Sequence, residues 1–93
     1  MQTITKPTLI DKELINSLSF KSREPVEQHP KLTEQISSAT RLGNGYRGKV
    51  TIVFEDDEGL KRVDTTIWAS GAKYICLKGG MWLPINRIVE IKP

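Results

Sequence analysis

The sequence predicts an α+β domain in which an N-terminal helical segment is followed by a small, five-stranded antiparallel barrel. Three observations point there. Apolar and polar residues alternate through 47–55 and again through 61–69, the period of a half-buried strand. Turn residues, among them Gly59, Gly71 and the Gly79-Gly80 pair, fall between the apolar runs. Before all of these, Leu32, Ile36 and Ala39 recur at the spacing of one helix face.

Taken in order, residues 1–7 read as a loose end. Thr8 with Asp11 three residues on approximates a capping box, and Ile10, Leu14 and Leu18 fall on one stripe, so a short helix is expected there. Residues 19–29 mix Ser, Pro and charge and read as a linker or extended arm, with Phe20 and Val26 to hold it down. Residues 1–29 therefore form an N-terminal arm, and 30–93 the helix and barrel. Pro30 suits a first helical turn, Glu34 and Arg41 match the helix dipole, and Gly43 supplies the stop. The apolar stripe of this helix needs a surface; Val53 and Trp68, on the outer faces of their strands, would supply one, so the helix is expected to pack across the barrel there or to cap its open end.

Val50, Ile52 and Phe54 share one face of the first long strand, with Val53 breaking the pattern on the other. The acidic run 55–58 ending in Gly59 makes a hairpin turn. Val63, Thr65, Ile67 and Ala69 alternate along the return strand. Ser70-Gly71-Ala72 is a turn, Ile75 and Leu77 mark a third strand, and Gly79-Gly80 turns the chain into a short strand at Met81-Trp82-Leu83. Pro84 ends that ladder, 84–87 form a single tight turn, and Ile88-Val89-Glu90-Ile91 is the last strand. The expected core is Val50, Ile52, Phe54, Val63, Ile67, Ile75, Leu77, Leu83, Ile85 and Ile91.

This strand pattern, with the ending Leu83-Pro84-Ile85-Asn86-Arg87-Ile88-Val89-Glu90-Ile91, resembles the SH3-like and Sm-like small barrels over about half the chain. Leu42-Gly43-Asn44, Val63-Asp64-Thr65-Thr66-Ile67-Trp68-Ala69 and Leu77-Lys78-Gly79-Gly80 through Ile91 are also similar to a family of small uncharacterised bacterial proteins, chiefly from Bacteroidetes. That resemblance implies a shared fold and carries no activity.

Ninety-three residues make one domain, and 38% hydrophobic with 27% charged content is that of a folded chain. A barrel of under fifty residues is near the lower limit for a self-sufficient core, so packing from the N-terminal part or from another subunit is expected. A net charge of +3 permits a polyanionic partner without demanding one. The single cysteine, Cys76, rules out an internal disulfide; with no basic-then-apolar leader and no long apolar run, the cytoplasm is the expected location.

Catalytic chemistry finds little to stand on. His29, the one histidine, sits in a loop without an orienting carboxylate in sequence and is expected to be solvated. Cys76 has no partner for metal binding or nucleophilic activation. The acidic turn lacks the ligand spacing of a calcium loop and reads as a solvated hairpin tip. Leu42-Gly43-Asn44-Gly45 ends a helix where a phosphate loop should begin one, and Gly79-Gly80 joins two strands. No enzyme, metal, cofactor or small-molecule substrate is expected.

Binding remains, in two forms. A non-catalytic protein-interaction or self-associating module would use barrel edges, the helix stripe, and an arm that orders on contact. An RNA- or single-stranded-DNA-binding module would use basic loops and exposed rings. The residues for the second are Tyr46, Arg47, Lys49, Arg62, Lys73, Tyr74, Lys78, Trp82 and Arg87, with Arg41 and Lys61 nearby. Against it, Glu55 to Glu58 and Asp64 put negative charge into the same sheet, and Trp68 and Trp82 are instead buried by the helix and the barrel end if the charges are ordinary solvated ones.

Overall fold

The computed structural model describes residues 6–46 and 48–92. Seven strands form two sheets, and the one α-helix among the described residues lies mid-chain. β1 (Thr8–Leu9) is followed by a 3₁₀ helix (Lys12–Ser17), and α1 spans Leu32–Tyr46. β2 (Val50–Asp56), β3 (Gly59–Thr65), β4 (Ile67–Ser70), β5 (Tyr74–Leu77) and β6 (Trp82–Pro84) come next. A 3₁₀ turn (Ile85–Arg87) leads into β7 (Ile88–Lys92). One sheet has the order β1-β3-β2-β7 and the other β4-β5-β6. All pairs are antiparallel except β1 with β3.

This corrects the expected fold. It is neither a helical segment leading into a barrel nor a single five-stranded SH3-like or Sm-like sheet. The run 61–69 does not remain one strand: it breaks at Thr66, whose carbonyl accepts the Lys78 backbone N–H at 2.9 Å. Its first half pairs with β2 and its second with β5, so one alternating stretch feeds two sheets. Trp68 faces outward by simple alternation from buried Ile67, and a register shift between Ile67 and Ala69 then sets Ala69 opposite Cys76 on that same exposed side.

The second correction is at the N-terminus, where no α-helix forms over 8–18. Thr8 and Leu9 pair with Lys61 and Arg62, and the Ile10 N–H donates to the Arg62 carbonyl at 3.0 Å. The free edge of β3 thus takes a strand where the residue pattern suggested a cap. The following turn is 3₁₀, with three residues per turn, so Ile15 is buried, Leu18 packs beside it and Leu14 is exposed.

Nine of the ten expected core residues are buried, and Ile85 packs against them half-buried. Leu32, Ile36 and Ala39 of α1 join them, so the helix stripe is as expected, but its docking surface is different: α1 lies on β4 and β7. Val53 is buried beside Leu60 and Val89 on another face, and Trp68 stays exposed. Gly43 does not stop the helix, which continues through Tyr46. Its missing side chain instead admits the β4 backbone, because a Cβ there would overlap the Ile67 carbonyl oxygen.

The stretch 19–29 is fastened to its own chain rather than left for a partner to order. The Phe20 ring meets Phe54 at 6.0 Å between centroids. Ser19 donates its hydroxyl to the Asp57 carboxylate at 2.6 Å, and the Ser22 and Lys21 N–H groups donate to the same carboxylate at 2.8 and 3.1 Å. Farther along, the Gln28 side chain donates to the Ile85 and Ile88 carbonyls, and the His29 N–H to that of Val89. With Gln35 Oε1 accepting the Ile91 N–H, these bonds occupy the outer edge of β7 and withdraw it from strand-to-strand association.

Candidate binding face

β5 alternates strictly. Ile75 and Leu77 are fully buried, so Tyr74, Cys76 and Lys78 project to the other side of the three-stranded sheet. Register extends that side to the neighbours: Cys76 is opposite Trp82 of β6 and Ala69 of β4, and Tyr74 is opposite Pro84. Among the described residues no element covers this face over Trp68, Tyr74 and Trp82, which are 48%, 49% and 56% exposed. The expectation that the two tryptophans are buried by helix and barrel end is therefore overturned. Half the aromatic residues of the chain lie open on one small sheet.

Gly79 and Gly80 both have positive φ, 97° and 89°, which brings Trp82 back across from Cys76 in a tight reversal. Lys73 and Lys78 bracket β5 and are exposed, and neither forms a salt bridge among the described residues. Trp68 and Lys78 line a hollow of about 300 Å³ with Thr66, Gly43 and Asn44. Lys73 and Tyr74 line another at the opposite end of β5, with Gln28, Pro84 and Ile85. Lys78 also borders a polar hollow that holds Lys49 with Asp11, Glu13 and Asp64.

Charge separates this face from the rest of the chain. There are 14 Lys and Arg against 11 Asp and Glu, and no acidic residue occurs between Asp64 and Glu90. That interval holds Lys73, Lys78 and Arg87, so the other 11 basic residues match the 11 acids one for one. Of these three, Lys73 and Lys78 are exposed beside the face, while Arg87 is buried and turned onto Glu24 and Glu55. The gap in acidic residues is a signal present in the sequence. The break at Thr66 puts Glu55 to Glu58 and Asp64 in or beside the other sheet, although Asp64 still shares a hollow with Lys78.

The structure brings together Lys73, Tyr74, Lys78 and Trp82 from the expected set and adds Trp68. Lys49 lies around the corner among carboxylates. Arg62 belongs to the four-stranded sheet, beside Val53 and Leu60. Arg87 is 3% exposed: its Nε donates to the Glu55 carbonyl at 3.1 Å and Nη1 to that of Glu24 at 2.6 Å. Lys61 is held by the buried Asp56 carboxylate at 3.1 Å. Arg47 and the Tyr46 side chain lie outside the described residues.

His29, Asp56 and Asp57, the other residues with chemical potential, are engaged locally. His29 is half-buried, and its Nδ1 accepts the Lys31 N–H at 3.0 Å in the turn that leads into α1. Asp56 and Asp57 do not form a free acidic tip. Asp56 accepts the Glu58 and Gly59 N–H groups, and Asp57 accepts the arm. The Ser19 hydroxyl, then the Ser22 N–H, hold the Asp57 carboxyl below its ordinary range. Among the described residues no three of His, Cys, Asp and Glu come together to hold a metal, and no helix is long and apolar enough to cross a membrane.

Set against family models, curated proteins and solved structures, the chain matches none of them.

Proposed function

We propose that this chain is a non-catalytic binding module whose contact surface is the outer face of the β4-β5-β6 sheet. One observation carries the reading: Trp68, Tyr74 and Trp82 stand about half exposed on a sheet whose other side buries Ile67, Ile75, Leu77 and Leu83. Exposing large rings forgoes the burial that stabilises a small fold, about 25 cal/mol per Å² of apolar surface left in water. A chain near the lower size limit for a self-supporting core gains from covering such rings, and grouped exposed aromatics mark contact sites more often than scattered ones do.

The architecture supports the same reading. Side chains that could serve as nucleophile or general base are dispersed: Cys76 is on the sheet, while His29 is tied into the turn before α1. The β7 edge of the four-stranded sheet is closed by Gln28, His29 and Gln35, which removes strand addition there as a mode of contact.

The face can be tested before its ligand is identified. A ¹⁵N-labelled sample is titrated with soluble extract from the source organism, and amide line broadening is mapped. Broadening concentrated in residues 67–84 is expected; broadening confined to α1 or to the Arg62 face of the four-stranded sheet would contradict the reading.

A further inference from the structure

We infer that the occupant of this face is a single-stranded nucleic acid, an inference that rests on the binding-face reading above. Charge is the first argument. The three strands carry no acidic residue, and the exposed Lys73 and Lys78 stand at the two ends of β5, Lys78 also bordering the hollow that holds Asp11, Glu13 and Asp64. Such a surface attracts a polyanion. It also disfavours a second copy of itself: a two-fold contact through this face would set the lysines of one copy against those of the other.

Geometry is the second argument. Trp82 is opposite Cys76, and Tyr74 is two residues from Cys76 on the same side, so the two rings are diagonal neighbours. Diagonal positions on paired strands are about 7–8 Å apart, within reach for rings of that size to receive successive unstacked bases. Trp68 sits across β5 beside Lys78. Lys73 and Lys78 lie at the two ends of β5, about 17 Å apart at the rise of an extended strand. A strand laid along β5 meets the rings of Tyr74 and Trp82 and then the Lys78 cation on the outer side, with the exposed Lys73 just beyond the Tyr74 end of β5. This is the combination that holds single strands, phosphate contacts with stacking between them.

Surface shape is the third. The face is a sheet of short strands edged by small residues, Ala69, Ser70, Gly71 and Ala72. No helix or ribbon projects from it to enter a duplex groove. Few hydrogen-bonding side chains point from it, so recognition is by stacking and charge, tolerant of base sequence.

Fluorescence anisotropy with labelled RNA and DNA single strands of about 12 nucleotides, at about 50 and 200 mM salt, tests this. The full chain binds both and weakens with salt. Trp82→Ala raises Kd about fivefold or more, the loss expected for one stacked base. Lys73→Gln with Lys78→Gln lowers the slope of log Kd against log salt by about 1.4, two phosphate contacts on a single strand. Lys31→Gln, a cation on the α1 side of the molecule, leaves Kd unchanged. Absence of binding at the lower salt overturns the nucleic-acid inference while the extract titration still decides the face. Binding that is indifferent to the Trp82 and lysine variants places the strand elsewhere and overturns both. Each variant is checked by its amide spectrum; if Trp82→Ala loses the fold, Trp82→Ser and Trp68→Ala carry the same comparison.

Discussion

Asp57 shows how much a single exposed carboxylate can organise. Three donors from 19–22 converge on it, and the Asp57 N–H returns a bond to the Ser19 carbonyl at 2.9 Å. Because these donors favour the charged form, the carboxyl is held below the ordinary value of 3.8 in the folded chain. The linkage follows in sign: the stabilisation is fully present above that value and is lost as pH falls through it towards the lower folded one. The Ser22 amide, corrected for intrinsic exchange, should lose protection as pH falls through and below about 3.8, and Asp57→Ala should abolish most of that protection at neutral pH. Unchanged protection in the variant would show that the arm is held by Phe20 and Gln28 instead. Sequence alone does not reveal this role, since an acidic hairpin tip looks the same whether it faces water or a returning arm. Arg87 is the reciprocal case: its charge is visible in the sequence, but the two carbonyls that take up its donors come from Glu24 and Glu55, far away along the chain.

Among the elements, α1 and β4 approach closely, and Gly43 permits it. Gly43→Ala should cost about 1–3 kcal/mol, because the added methyl meets backbone rather than a side chain that can swing away. Gly45→Ala, two residues on and facing open space, should stabilise by a few tenths to about 1 kcal/mol. Urea denaturation of the pair distinguishes contact from propensity; equal effects would remove Gly43 from the interface. At this scale much was legible. The helix stripe, the β2-β3 hairpin and the glycine reversal before Trp82 follow from periodicity and turn chemistry. What periodicity could not show is a strand that changes sheets without losing its alternation. Thr65, Thr66 and Ile67 are all buried, and nothing in their identities marks the break between β3 and β4. The 8–18 stretch misleads for a related reason. Ile10, Leu14 and Leu18 match an α stripe, but Ile15 and Leu18 match a 3₁₀ one, and pairing with β3 decides between them.

For the whole molecule, the organising feature is two sheets of different character held around one core. The larger is armed at one edge by β1 and closed at the other by Gln28, His29 and Gln35. The smaller turns three rings outward, with two exposed lysines at the ends of β5 that form no salt bridge among the described residues. Which basic and aromatic residues form one surface was only partly legible. Lys73, Tyr74, Lys78 and Trp82 lie close in sequence and end together, whereas Arg62 and Arg87 were separated from them by the sheet change and by burial. Both tryptophans of the chain are on the proposed face, so its occupancy can be read without a label. The most direct measurement is tryptophan emission during titration with a thymine or uracil single strand at low salt. Quenching that saturates, with part of it lost in Trp82→Phe and the rest in Trp68→Phe, is the predicted result. A strand that binds by anisotropy while the emission of both tryptophans stays unchanged would contradict the assignment of this face.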